Sequence, residues 1–248
     1  MAGRLALVTG GNGGIGTAVC RELAAQGHRV VTTCMDAEAE RIPQWQAALR
    51  EEGYEVGYVE CNVADYASCQ RMAETVAEQF GEVEILVNLA GITRDGFFHK
   101  MSEEDWDAVL DVNLDSVFNV TRQLLPAMRQ RGFGRVVNVA SVNGQTGQIG
   151  QTNYSAAKAG MHGFTMALAK ENAAKGVSVN TVSPGYVKTP MTDAMRDDIR
   201  EHIVSQIPAG RLAQPEEIAR VIRFLAADES GYITGANVPV NGGLFCSF

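Results

Sequence analysis

The chain has 248 residues, 46% of them hydrophobic, and carries 21 Lys and Arg against 29 Asp and Glu, a net charge of −8. That length allows one or two domains with ample apolar surface for a core. The acidity argues against broad contact with a phosphate backbone or an anionic membrane surface, and no apolar run approaches the roughly 18 residues of a membrane span. The opening Met1-Ala2-Gly3-Arg4 passes straight into an apolar stretch, which leaves no room for a cleavable leader. Cys20, Cys34, Cys61, Cys69 and Cys246 are odd in number and show no C-x-x-C spacing, and His28, His99, His162 and His202 lack metal-ligand spacing. The expectation is a reduced, cytoplasmic protein with no metal, no nucleic acid and no membrane partner.

In chain order, residues 5–8 form a short apolar run. Thr9-Gly10-Gly11-Asn12-Gly13-Gly14-Ile15-Gly16 follows, and then a helical pattern over 17–26. Strand, glycine turn and helix in that order open a βαβ unit. The alternation continues with strands predicted at 29–34, 56–61 and 83–88 and helices at 42–52 and 66–80. Ser102-Glu103-Glu104-Asp105 resembles a capping box at the start of the next helix, and a longer helix runs over 113–131. A strand at 134–140, a helix at 152–175 and a strand at 177–182 come next. A helix at 214–227, with Pro215 in its first turn, and a strand at 236–240 complete the series. Strands that are apolar on both faces and alternate with helices imply a parallel sheet covered on both sides, an α/β fold. One irregular stretch, 184–210, is broken by Pro184, Gly185, Pro190 and Pro208 and has the character of a substrate lid, taken as 184–212 within one domain spanning 1–248.

Two stretches carry chemistry. Gly10-x-x-x-Gly14-x-Gly16 lies where the first strand meets the first helix, and glycines there let backbone amides approach a pyrophosphate at a helix N-terminus. Tyr154 and Lys158 fall on one face of a helix, and Ser141 ends the preceding strand. A phenol has a pKa of about 10, so acid/base work near neutrality needs a downward shift of roughly 3 units, about 4 kcal/mol. An ammonium at Lys158 supplies a shift of that sign.

Thr9-Gly10-x-x-x-Gly14-Ile15-Gly16, Asn88-x-Ala90-Gly91, Asn113, Ser141, Tyr154-x-x-x-Lys158 and Pro184-Gly185 occur in an order and spacing that resembles the short-chain dehydrogenase/reductases over essentially the whole chain. The resemblance implies a seven-stranded, doubly wound Rossmann sheet, commonly a homotetramer, that uses NAD(P)H. It implies that Tyr154 protonates a substrate carbonyl and that Lys158 lowers the phenol pKa and holds the nicotinamide ribose. Ser141 polarises the carbonyl, and Asn113, at a helix start, positions a water. The cofactor contacts carried over are Gly10, Asn12, Gly13, Gly14, Ile15, Gly16, Asp36, Arg41, Asn62, Val63, Asn88, Ala90, Gly91, Tyr154, Lys158, Pro184, Gly185 and Val187. Two positions depart from the family pattern: Leu89 stands where a second Asn is usual, and Ala140 precedes Ser141.

Within the family, Gly91-Ile92-Thr93-Arg94-Asp95, Ser141-Val142-Asn143-Gly144 and Gly147-Gln148-Ile149-Gly150-Gln151 are similar to the branch that reduces acetoacetyl-CoA to (R)-3-hydroxybutyryl-CoA. By that likeness Asp95, Ser141, Gln148, Gln151, Tyr154, Tyr186 and Arg196 line a channel for a CoA thioester. A carrier-protein thioester is the rival substrate. It calls for a basic patch, for which Arg129, Arg131 and Lys175 are candidates. A nucleotide-sensing regulator without catalysis is a remoter reading. Residues 36–41 offer three carboxylates and one cation, Arg41. A free ribose suits a carboxylate and a 2′-phosphate suits a cation, so this loop tilts toward NADH although NADPH is the family default.

Overall fold

The computed structural model describes residues 3–35, 40–189, 192 and 195–246. The first half alternates β1 (Leu5–Thr9), α1 (Gly14–Ala25), β2 (Arg29–Cys34), α2 (Ile42–Glu51), β3 (Val56–Glu60), α3 (Tyr66–Gln79) and β4 (Ile85–Asn88). The second half adds α4 (Glu103–Leu110), α5 (Ser116–Arg131), β5 (Gly134–Val139), a short α6 (Asn143–Thr146) and α7 (Thr152–Asn172). It closes with β6 (Val177–Pro184), α8 (Asp197–Gln206), α9 (Pro215–Ala226) and β7 (Asn237–Val240). Among the described residues the strands form one sheet in the order β3-β2-β1-β4-β5-β6-β7, every neighbouring pair parallel.

The two faces explain why the strands read as unbroken apolar runs. Ala6 and Val8 of β1 pack on one side with Val19 and Leu23 of α1 and Ile218 and Ile222 of α9. Leu5 and Leu7 turn to the other side, against Met72 and Val76 of α3 and Val120 and Leu124 of α5. Successive strand residues thus serve opposite faces, both covered by helices, and neither face can be polar.

Strand order reverses between β1 and β4. The chain winds outward through β2 and β3, then returns to place β4 on the other side of β1. No helix can fill the gap between connections that leave in opposite directions, so a crevice opens at the carboxyl ends of these two strands. At the opposite edge, Arg4 is hydrogen-bonded to Asp228 through two nitrogens at 2.7 Å each and to Glu84 at 2.5 Å, tying the starts of β1 and β4 to the segment after α9.

Two local expectations change. The stretch 184–210 contains a helix, α8, with no buried residue and Ile199 exposed. Proline punctuation marked the ends of this stretch and hid the polar turn between them. Asn113 is not at a helix start: α4 continues through a π-helical turn, Asp111–Asp115, directly into α5. No helix among the described residues is long and apolar enough to cross a membrane.

Candidate active site

The crevice begins at the glycine turn. Gly10 has a φ of +67°, a left-handed conformation that only glycine adopts cheaply, and its carbonyl accepts a hydrogen bond from Gly13 N–H at 3.2 Å. A Cβ on Gly10 would lie 3.1 Å from Ala90 Cα, so the ends of β1 and β4 approach closely only because it is absent. Thr9 Oγ1 locks that approach by accepting the amides of Leu89 and Ala90 at 2.9 and 3.1 Å. A cavity of about 530 Å³ opens beside the turn, walled by Gly10, Asn12, Gly13, Arg41, Asn62, Val63, Ala90 and Gly91. Gly14 is the first residue of α1, and Gly16 is buried where a Cβ would collide with Gly10 O, so these two shape the turn without forming its wall. Asp36 lies outside the described residues. Asn88 does not face the cavity. It is buried, and its amide donates to Asn138 Oδ1 at 2.8 Å and Thr121 Oγ1 at 3.1 Å, joining β4 to β5 and α5.

A second cavity of about 260 Å³ shares Leu89, Gly91 and Ile92 with the first, and the two form one trough. Ile15, Pro184, Gly185, Tyr186 and Val187 wall it together with Ser141, Tyr154 and Lys158. Ser141 follows the end of β5, and Tyr154 and Lys158 stand one turn apart on α7. Tyr154 and Ser141 wall the same cavity, and the Ser141 hydroxyl favours the ionised phenol. Lys158 Nζ donates to Val139 O at 2.9 Å and lies 5.6 Å from the centre of the Tyr154 ring. Asn113, fully buried on the π-helical turn, donates its amide to Ile92 O and Val109 O at 2.9 Å each. Its Oδ1 is buried with no hydrogen-bond partner. A Cβ on Gly91 would sit 2.6 Å from that oxygen and 3.5 Å from Lys158 Nζ, so Gly91 is where Asn113 and Lys158 meet the trough.

The electrostatics differ from the simple expectation that Lys158 depresses the Tyr154 pKa. Burial raises the phenol above its ordinary value. The Ser141 hydroxyl opposes that shift, and the negative charge of Asp95 adds to it. Burial also lowers Lys158 to about 7. Desolvation acts against both charged forms, so at neutral pH the phenol is protonated and the amine holds its proton far less firmly than an exposed lysine. A neutral phenol is a proton donor, the form a carbonyl reduction consumes.

Beyond this core, Gln151 Nε2 donates to both oxygens of Asp95 at 3.0 and 2.9 Å. Gln151 Oε1 accepts from Asn143 Nδ2 at 2.8 Å, and the Asn143 backbone N–H donates to Ser141 Oγ at 3.1 Å. Asn143 escaped the sequence reading. Its one signal is its place two residues after Ser141, in a segment that looks like a plain loop. That N–H occupies a lone pair of Ser141, which leaves the hydroxyl proton to point elsewhere. A Cβ on Gly144 would lie 2.7 Å from Lys158 C, so α6 rests directly on the backbone of α7. Gln148 is exposed outside the cavity wall. Arg196 is not brought to the trough either: it pairs with Asp198 at 2.9 Å in front of α8, with both side chains largely in solvent.

A family model described as enoyl-(acyl carrier protein) reductase matches residues 10–245. The chain is 59% identical to the acetoacetyl-CoA reductase of Allochromatium vinosum over 98% of both chains. It is 54% identical to the acetoacetyl-CoA reductase of Cupriavidus necator over 98% of this chain and 99% of that one. It is 45% identical to the 3-oxoacyl-[acyl-carrier-protein] reductase of Haemophilus influenzae over the full length of both. The chain belongs to the short-chain dehydrogenase/reductase family.

Members of this family use NAD(P)H, and the trough fits a dinucleotide. The backbone stays clear of side chains at Gly10 and Gly91, where a Cβ would press on Ala90 or Asn113. The N-terminus of α1 opens beside the first cavity, and the second ends at Tyr154 and Lys158. Leu89, the departure from the family's Asn-Asn-Ala-Gly, packs partly buried against the core and walls both cavities. Ala140 is buried against Val117 and Met161 and leaves the hydroxyl of Ser141 in place.

Proposed function

We propose that this short-chain dehydrogenase/reductase reduces the 3-keto group of acetoacetyl-CoA to (R)-3-hydroxybutyryl-CoA, a step of polyhydroxybutyrate synthesis. The carrying observation is the 59% and 54% identity to two acetoacetyl-CoA reductases over 98% of the chain, against 45% to a carrier-protein reductase. The carrier-protein reading asks for cations near the trough. Arg129 is hydrogen-bonded to Asn172, and Arg131 to Glu82 and Val83 O. Those positions, like Lys175, precede the starts of β4, β5 and β6, at the edge of the sheet opposite the trough.

Bound NAD(P)H would supply the hydride, and the residues of this chain do the rest. Tyr154 gives its phenolic proton to the 3-oxygen as charge builds there. Ser141, its oxygen already holding the Asn143 N–H, directs its own proton at the same oxygen and fixes the face presented. Lys158 holds the nicotinamide ribose, and Asn113 positions a water that reconnects Lys158 with solvent. Gly10, Asn12, Gly13, Asn62, Val63, Ala90 and Gly91 hold the adenosine and pyrophosphate. Gln151, anchored by Asp95 and Asn143, meets the thioester with Tyr186, and residues 184–212 act as the lid. The acidic loop 36–40 favours NADH, with Arg41 on the cavity wall as the competing contact for a 2′-phosphate. A cytoplasmic homotetramer completes the reading.

The test is initial-rate assay of acetoacetyl-CoA and of its carrier-protein thioester, each with NADH and NADPH. A higher kcat/KM for the CoA thioester supports the assignment, and a strong preference for the carrier-protein thioester overturns it. A kcat/KM for NADPH more than about tenfold above NADH, about 1.4 kcal/mol, sinks the cofactor reading.

A further inference from the structure

Cys61 and Cys69 have no part in the reaction, yet their sulfurs lie 3.8 Å apart, at van der Waals contact. Cys61 follows β3 and Cys69 lies in the first half of α3, with Asn62 and Val63 between them in the loop. Both side chains are buried, but Cys61, Asn62 and Val63 wall the larger cavity. Cys61 is therefore within reach of a small solute that enters there, and Cys69 stands behind it. Ser68 Oγ donates toward Cys61 Sγ at 3.9 Å and itself accepts the Asn62 N–H at 3.0 Å.

We infer that Cys61 and Cys69 are a peroxide-sensitive thiol pair whose oxidation to a disulfide closes the nucleotide cavity to its ligand. The inference rests on reading that cavity as the nucleotide site. The roles of the two thiols differ. Hydrogen bonds from Cys69 and Ser68 hold Cys61 below the ordinary thiol value, with burial opposing them. Its bond to Cys61 and burial push Cys69 up. Cys61, on the cavity side, is the nucleophile and Cys69 the resolving thiol. The Cys61 thiolate attacks one oxygen of hydrogen peroxide, the O–O bond breaks, and hydroxide leaves to become water, giving a sulfenic acid. Cys69 sulfur then attacks Cys61 sulfur, the S–O bond breaks, and the departing hydroxide takes the Cys69 proton as a second water. Two thiols lose two electrons and the peroxide gains them.

A disulfide holds its sulfurs about 2.0 Å apart, so the pair must close by well over an ångström. The surrounding loop cannot absorb this freely. Val63 O accepts from Asn119 Nδ2 at 3.1 Å, and Asp65 caps α3 through Ala67 N–H at 2.9 Å. The pull falls on Cys61 and Asn62, where nucleotide would rest. Bound nucleotide in turn shields Cys61, so occupancy and oxidation exclude each other. Burial pushes Cys20, which is outside this cavity, up to about 12 and leaves it inert.

The test treats the intact protein with hydrogen peroxide, alkylates remaining thiols and maps peptides without reduction. Nucleotide affinity is read by NADPH and NADH fluorescence titration before and after oxidation. The expected results are a Cys61–Cys69 linked peptide reversed by dithiothreitol, a Kd at least about tenfold higher after oxidation, and suppression of the link when nucleotide is present during treatment. Cys69→Ser is expected to lose the link and carry sulfinic acid at Cys61. Cys61→Ser is expected to bind nucleotide equally well before and after peroxide. Oxidation of exposed Cys246 without the link, a link from Cys61 to Cys34 instead, or a link with unchanged Kd each overturns the inference. Failure of the untreated protein to bind either nucleotide refutes the cavity assignment, and the peptide map still decides whether the pair forms.

Discussion

Burial brings the Lys158 amine to about 7, far below an exposed lysine at about 10.4. Between those values the unfolded chain binds a proton that the folded chain does not, so stability rises with pH across that window, by at most about 1.4 kcal/mol per unit. The sign follows from the lowered pKa: the cost of holding the amine is greatest below pH 7 and vanishes above about 10.4. Lys158→Met removes the titration. Melting temperatures of the two proteins over pH 7 to 10, without nucleotide, are expected to diverge, the wild type gaining on the variant with pH, and parallel profiles would refute the assignment. Tyr154 reports on chemistry instead. Tyr154→Phe is expected to lower kcat by about 10²- to 10⁴-fold while nucleotide binding persists, as measured by turnover and fluorescence titration. Near-normal kcat would remove the proton-donor role. That Ser141, Tyr154 and Lys158 would meet in one cavity was legible in the sequence less from their own spacing, which is common on helices, than from the glycine turn and Asn113 that accompany them. Asn143 was not, because its part depends on a partner, Gln151, across a loop. Nor was the direction of the Tyr154 shift, because burial belongs to the fold rather than to the residue.

At the scale of elements, the trough depends on backbones that come too close for side chains. Gly91 separates the end of β4 from the π-helical turn, with Asn113 Oδ1 2.6 Å from where a Cβ would stand. Asn113 is held by two amide hydrogen bonds and cannot yield cheaply. Gly91→Ala is therefore expected to destabilise the protein by about 1–3 kcal/mol and to weaken nucleotide binding, read by denaturant unfolding and titration. Unchanged values for both would show that the turn gives way. The regular helices and strands were readable from periodicity to within a few residues, since each buries one stripe or two faces. The π-helical turn and α8 were not. One extra residue in a continuous helix leaves the apolar pattern almost intact, and α8 buries nothing that would impose a pattern.

At the scale of the molecule, the reversal between β1 and β4 decides where chemistry can happen; the order of strand and helix signals implied only a covered parallel sheet, and the doubly wound order came with the family resemblance. The walls of the two cavities come from the carboxyl ends of six strands, β1 to β6, and from α7. A ligand spanning that edge couples them. Nucleotide at about 100 times its Kd is expected to add about 2.7 kcal/mol, a rise in melting temperature of roughly 5–10 °C at this chain length. Differential scanning fluorimetry checks it, and no shift at that concentration would show that the folded protein does not bind nucleotide preferentially.

The pairing of β6 with β7 has a temporal side. Gly185 N–H donates to Val240 O at 2.9 Å and Ala209 N–H to Gly242 O at 3.0 Å, so the wall at Pro184–Val187 is held by residues that leave the ribosome after every other strand of the sheet. α9, which covers β1 and α1, also emerges late, so the two cavities gain their full support only once α9 and β7 are both out.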